Sequence, residues 1–180
     1  MTNKPTAFGL SMGMKETELD IEEVMEGGFC VLNSVPKPHS KFQNYYAIVS
    51  ESYGLTKIIA ANHEVITNVF GHEIQTEFES LRERLANKYG EGEVFDFLME
   101  DSIWDEPKDW MSALEKKERI LRNIWERNEL YDIDSNLESV ILSATASEED
   151  PGVASLSLNY EFTTYSLHLE EQEALEDECL

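Results

Sequence analysis

Residues 153–165, VASLSLNYEFTTY, decide the fold, because apolar and polar side chains alternate along most of this stretch. Successive side chains of a β-strand point to opposite faces, so the alternation predicts a strand with one dry face and one wet face. The apolar positions that we expect in the core are Ala154, Leu156, Leu158, Tyr160 and Phe162.

A second alternating stretch, residues 140–146, lies just upstream, and the link SEEDPG between the two is made of turn-forming residues. The pair therefore predicts an antiparallel hairpin. Its apolar face needs a cover, so we expect further strands beside it and helices across it.

Other strands are indicated by aromatic and β-branched residues. Residues 45–50 and 55–61 predict a second hairpin, with Gly54 in the bend, and residues 29–32 predict a short strand. Residues 62–71 fit either a continuing strand or a buried loop.

Two stretches change to a helical period. Residues 74–89 place Ile74, Phe78, Leu81, Leu85 and Tyr89 on one stripe, and Gly90 closes the helix. A second helix is predicted over residues 107–127, with Trp110 and Trp125 buried. A helix start is predicted in residues 15–21, and a short helix with a loop in residues 93–105.

These elements predict a single α+β domain over residues 1–180, in which helices cover one face of an antiparallel β-sheet. The 180 residues contain no Pro/Gly/Ser-rich linker that would divide the chain. We expect a loose N-terminus over about residues 1–7. Residues 167–180 are rich in acids and predict an acidic C-terminal helix or a tail.

The chain is strongly acidic, with 37 Asp and Glu against 14 Lys and Arg and a net charge of −23. Such a surface repels phosphate and anionic lipid, so we expect no direct contact with nucleic acid or membrane. It favours a basic protein partner. The alternative interpretation is that the acidity only keeps the protein soluble.

Cysteine usage and hydropathy indicate a cytoplasmic protein. Cys30 and Cys179 form no disulfide framework, and the first residues show no apolar run of signal-peptide length. No stretch approaches the roughly 20 apolar residues of a membrane-spanning helix.

Motifs for metal or cofactor chemistry are absent from the sequence. The histidines are scattered, and His72-Glu73 lacks the second histidine of a metalloprotease helix, because Glu77 and Phe78 stand where it would be required. Gly90-Glu-Gly92 lacks the third glycine of a phosphate-binding loop. We predict no metal, no cofactor and no catalytic residue.

One acidic cluster keeps a hydrolase as an alternative. Paired-acid hydrolysis needs one acid in a dry pocket opposite an ionised one. The best candidates, which surround Trp104 and Trp110, are Asp101, Asp105, Glu106 and Asp109. The competing interpretation is a helix start whose acids complement the helix dipole.

A stiff proline-containing loop with nearby aromatic residues is a candidate binding surface, because a rigid loop loses little entropy on binding. The candidate partner-binding residues, including three near the second helix, are Pro36, Lys37, Pro38, His39, Phe42, Tyr45, Tyr46, Trp104, Asp105 and Glu106. The alternative is that the prolines guard a sheet edge against aggregation.

The opening motif Phe8-Gly-Leu-Ser-Met-Gly-Met14, followed by Lys15-Glu-Thr-Glu-Leu19, resembles that of small bacterial β-lactamase-inhibitor-protein and SmpA/BamE-like domains. Further elements, VPKPHxxF, GLxKI and LxxKYG at residues 35–42, 54–58 and 85–90, resemble those of cytosolic bacterial proteins. The resemblance implies a noncatalytic domain that binds protein through its sheet or loops, and it transfers no functional residue.

The sequence thus predicts a noncatalytic acidic protein-binding domain, of the type of an immunity protein or inhibitor of a basic protein. The alternatives are the hydrolase described above and a housekeeping protein with no stable partner.

Overall fold

The computed structural model describes residues 6–127 and 133–177 and shows an α+β fold built on a large antiparallel sheet. The strands are β1 (Ile21–Val24), β2 (Phe29–Leu32), β3 (Phe42–Ser50), β4 (Gly54–Asn62), β5 (Val65–Ile66), β6 (Glu93–Leu98), β7 (Arg119–Glu126), β8 (Leu137–Ala146) and β9 (Val153–Phe162). The helices are α1 (His72–Tyr89), α2 (Trp110–Glu115) and α3 (Tyr165–Asp177).

Within these residues the strand order is β1-β2-β3-β4-β9-β8-β7-β6, and β5 pairs with β9. The described residues form two compact units. The first comprises residues 6–60, 134–139 and 159–177, and the second comprises residues 61–127, 133 and 140–158. The predicted α+β class with an antiparallel sheet is confirmed.

Both predicted hairpins are confirmed, as β8 with β9 and as β3 with β4, and so is the short strand β2. On β9 every predicted core side chain is buried: Ala154, Leu156, Leu158, Tyr160 and Phe162. The alternation therefore identified the buried face of the strand correctly. The stretch that the sequence left open, residues 62–71, contains the two-residue strand β5 followed by a loop.

Helix α1 buries the whole predicted stripe from Ile74 to Tyr89. It begins after Gly71, which has no side chain to cap it, and the Asn68 side-chain oxygen accepts the backbone N–H of His72 at 3.4 Å. The Glu73 carboxylate accepts hydrogen bonds from the backbone N–H of Asn68 and the hydroxyl of Thr67, both at 2.8 Å. These bonds lower the pKa of Glu73, first through Asn68 and then through Thr67.

The prediction of a single helix over residues 107–127 is wrong. A 3-10 turn, Pro107–Asp109, leads into the short α2, the chain turns at Lys117 with φ 61°, and β7 follows. Residues 119–126 form a strand because they pair with β6, and this places the alternate side chains of Leu121, Asn123 and Trp125 in the interior of the second unit. Both tryptophans are nevertheless buried, as predicted.

Two further predictions are corrected. Residues 93–98 form strand β6 in place of a short helix, and residues 16–18 form a 3-10 turn that is followed by strand β1 in place of a longer helix. In both cases a neighbouring strand, β7 or β2, supplies backbone partners that outweigh local helix preference. Residues 1–5 and 178–180, which include Cys179, lie outside the described residues.

Two adjacent glycines give a matched test of the turn between β1 and β2. Gly27 and Gly28 both have left-handed backbone, with φ 70° and 73°. A Cβ atom at Gly28 would collide with the carbonyl oxygen of Val49, whereas nothing lies within 4 Å of one at Gly27. We expect Gly27→Ala to cost about 1 kcal/mol of unfolding free energy and Gly28→Ala about 3 kcal/mol or more.

Urea denaturation of the two variants beside the parent measures both losses. Equal losses would show that the backbone at Gly28 is not in close contact with strand β3.

Candidate functional site

The predicted proline loop, residues 34–42, is anchored in the core of the first unit. Phe42 and Tyr45 are buried, and the Phe8 ring meets both edge to face, with ring centroids 5.8 and 5.0 Å apart. The Tyr45 hydroxyl accepts a hydrogen bond from the backbone N–H of His39 at 2.9 Å. These two aromatic side chains therefore hold the loop in place and are not available to a partner.

Of the other binding residues predicted in and after this loop, Pro36, Lys37 and Pro38 are exposed, while His39 and Tyr46 are half-buried. The backbone N–H of Lys37 donates to the carbonyl of Phe8 at 2.9 Å. The loop is thus fixed at both ends, and it presents one cationic side chain between two prolines.

The predicted acidic cluster lies at the surface of the second unit. Asp101, Asp105 and Glu106 are exposed and Asp109 is half-buried, while Trp104 beside them is half-buried. Glu106 pairs with Lys108 at 2.8 Å. Exposed carboxylates do not provide the dry pocket that paired-acid hydrolysis requires, so no structural observation supports the hydrolase alternative.

A groove that the sequence did not predict lies along helix α3 in the first unit. This α3 groove, about 630 Å³ in volume, is lined by carboxylates and apolar side chains from the turn before β1, from β1 itself, from the β3–β4 turn and from the helix. The residues that define it here are Glu16, Val24, Glu51, His168, Glu171 and Leu175.

Helix α3 is fixed to the first unit at its N-terminal end. Lys57 donates to Glu161 at 2.9 Å and lies 4.7 Å from the centre of the Tyr165 ring. One turn on, His168 is only 4% exposed and stacks on Tyr165. The Ser50 hydroxyl then donates to Glu171 at 3.3 Å, and it also accepts the backbone N–H groups of the β3–β4 turn at Ser52 and Tyr53.

This docking leaves the opposite face of α3 in water. The face carries the exposed carboxylates Glu170, Glu173 and Asp177, and the helix sequence contains no Lys or Arg. These three residues follow one another at spacings of three and four, so they lie on neighbouring turns of one face. The face is a continuous acidic surface beside the α3 groove.

A second groove lies in the second unit between α1 and the sheet. This α1–β6 groove, about 610 Å³ in volume, is lined by Glu79 and Glu83 of α1, by Val94 and Asp96 of β6, and by Leu121 of β7. Hydrogen bonds from Arg82 lower the pKa of Glu79, so Glu79 stays ionised at neutral pH within its ion pair with Arg82, and the exposed Glu83 adds a further carboxylate to this wall.

The described residues include one cysteine, Cys30, and its thiol is buried. Burial, with the nearby negative charge of Glu16 as a smaller cause, raises the pKa of the Cys30 thiol and so disfavours the nucleophilic thiolate. Among the described residues no group of three or more His, Cys, Asp or Glu side chains could hold a metal ion. No helix in the described ranges is long and apolar enough to cross a membrane.

No family model, no curated protein and no solved structure matches the chain. The resemblance of the opening motif to inhibitor-type domains therefore stays a prediction.

Sequence reasoning missed the α3 groove because it followed the leucines of the C-terminal segment. Leu167 and Leu175 are exposed, and the buried side chain of the helix is His168. A stripe of Tyr165, His168 and Gln172 at spacings of three and four is the signal that could have located the docked face.

The attachment of α3 can be tested through Lys57, whose side chain is 15% exposed in its ion pair with Glu161. We expect Lys57→Met to cost about 1–3 kcal/mol of unfolding free energy, because a largely buried carboxylate loses its cation. The matched control is Lys108→Met, where both partners are more than half exposed and the loss should stay below about 0.5 kcal/mol.

Chemical denaturation measures the two losses, and hydrogen exchange locates the first of them. Exchange in residues 165–177 should quicken in Lys57→Met only. Unchanged exchange of this segment would show that the ion pair does not hold the helix.

Proposed function

We propose that the protein is a noncatalytic acidic protein-binding domain of immunity or inhibitory type, and that it binds a basic protein in the cytoplasm. The observation that carries this proposal is the acidic face of α3, which a folded helix retains without any cation of its own. The buried free thiol of Cys30 agrees with a reducing compartment.

The acidic face lowers the stability of helix α3. Like charges three or four residues apart each destabilise a helix by about 0.2–0.5 kcal/mol, and here Glu170, Glu173 and Asp177 follow at those spacings. Glu176 and Asp177 also stand at the C-terminal end, where the helix dipole is negative and acids are unfavourable. A cationic partner surface would remove both penalties.

The charge cannot be neutralised from within the chain. If each of the 14 Lys and Arg side chains were paired with one carboxylate, 23 of the 37 carboxylates would remain. A field of this sign attracts basic surfaces and speeds their encounter, and it repels nucleic acid.

Apolar side chains beside the acids support a protein partner over a small cation. Val24 is 53% exposed and Leu175 is 56% exposed, and both line the α3 groove. Interfaces combine an apolar centre with a charged rim, so a surface of this composition fits a partner with both kinds of residue.

Affinity purification with two matched variants tests the proposal. The first variant, Glu170→Gln/Glu173→Gln/Asp177→Asn, removes the acidic face of α3. The control, Glu64→Gln/Asp101→Asn/Glu126→Gln, removes the same charge from exposed positions of the second unit. Each bait is immobilised in an extract of the cells that express the protein, at about 50 and 300 mM salt.

We expect the parent and the control to retain one basic protein at low salt and to lose most of it at high salt. The α3 variant should lose it at both concentrations. Equal retention by all three baits, or no basic partner even at low salt, would mean that the acidity only keeps the protein soluble, and it would contradict the proposal.

A further inference from the structure

The two edge strands of the sheet differ in how they are protected against pairing. Strand β1, at one end of the strand order, has a register shift between Ile21 and Glu23 and carries Glu22 and Glu23 in its four residues. Bulges and charges on an edge are the usual devices that prevent a further strand from adding. Strand β6, at the other end of the described sheet, pairs with β7 in unbroken register over all six residues. It therefore has no bulge, and its charges are the two exposed carboxylates Glu93 and Asp96, which would attract a basic strand.

Strand β6 is also open on both faces. Val94 is 50% exposed on the side of the α1–β6 groove, and Phe97 is 47% exposed on the other side. Because antiparallel pairing to one neighbour uses alternate residues, the remaining N–H and C=O groups of β6 point away from β7. A regular edge with exposed apolar side chains is a template for strand addition.

The groove next to this edge determines the chemistry of the strand that fits. A strand added to β6 would direct alternate side chains into the α1–β6 groove, towards the exposed carboxylate of Glu83 and the Glu79–Arg82 ion pair. Its other side chains would lie next to Phe95 and Phe97, which face Arg122 and Ile120 of β7. The matching sequence alternates cationic with β-branched or aromatic residues.

We infer that β6 is a strand-addition site for an extended basic segment of a partner protein. Backbone hydrogen bonds to β6 provide affinity, and the carboxylates of the α1–β6 groove select Lys or Arg at alternate positions. The inference rests on the proposed function for the class of partner, but it uses a surface of the second unit, separate from the residues of α3. A second copy of this chain is a poorer occupant, since each copy carries a charge of −23.

The test uses a labelled peptide of four Lys-Val repeats, with both ends blocked, and measures its binding by fluorescence anisotropy at about 50 mM salt. The decisive variant is Val94→Lys, and its matched control is Val69→Lys, which makes the same change at a similarly exposed position in the loop before α1. A second pair, Glu83→Gln against Glu64→Gln, removes one carboxylate from the groove or from an exposed position outside both grooves.

We expect Val94→Lys to weaken binding at least about 10-fold and Glu83→Gln about 2- to 5-fold, with both controls unchanged. Bound peptide should slow amide exchange in Glu93–Leu98 and leave Ile21–Val24 unaffected. Circular dichroism checks that the variants fold. If Val94→Lys does not fold, the comparison of Glu83→Gln with its control and the amide exchange of β6 still test the inference.

Three results would overturn the inference. Equal weakening by Val94→Lys and Val69→Lys would mean that peptide binding depends on net charge alone, which leaves the proposed function standing. Absence of binding at low salt would exclude a strand site on β6, while the affinity purification tests α3 separately. A dimer in sedimentation that Val94→Lys dissociates would show that a second copy occupies the edge.

Discussion

The fold depends on strand β9, which has hydrogen-bonded neighbours on both edges and a continuous apolar face. It lies between β4 and β8 in the strand order, and β5 pairs with its first two residues. Between β4 and β5 the chain leaves the ladder, and the buried side chain of Asn62 replaces the missing backbone acceptor by taking the N–H of Leu156 at 2.7 Å. A buried N–H without that acceptor would cost about 1–3 kcal/mol.

The acidity of the chain is accommodated by where its few cations are placed. Lys57 secures the start of α3 through Glu161, and Arg82 on α1 holds both Glu79 and Glu91, at 2.6 and 3.1 Å. Cations used in this way stabilise each unit internally. The acidic face of α3 and Glu83 in the α1–β6 groove keep their negative charge, and these are the two surfaces to which the proposals assign binding.

Strict alternation was sufficient to predict the hairpin of β8 and β9, aromatic and β-branched composition that of β3 and β4, and a single helical stripe α1. In β8, β9 and α1 the pattern repeats for at least seven residues and one face is buried. Residues 107–127 gave the opposite outcome, because Trp110, Leu114, Leu121 and Trp125 fit a helical spacing by coincidence. Their true arrangement, a short helix and then a strand, depends on pairing with β6, and a partner 20 or more residues away leaves no local signal.

The binding surfaces were harder to predict than the fold, for a related reason. The aromatic residues of the proline loop suggested a partner site, yet Phe42 and Tyr45 pack against Phe8, a contact between distant parts of the chain. The apolar residues of β6 lie on both faces, so no period shows in the sequence, and only the strand order reveals that this strand is an edge.

Native-state hydrogen exchange tests most directly the claim that the fold depends on β9. Amides of residues 154–162 should be among the slowest in the protein and should open only with global unfolding, whereas those of the exposed strand β6 and the C-terminal half of α3 should exchange through local opening. Exchange of the β9 amides as fast as those of α3 would contradict the account.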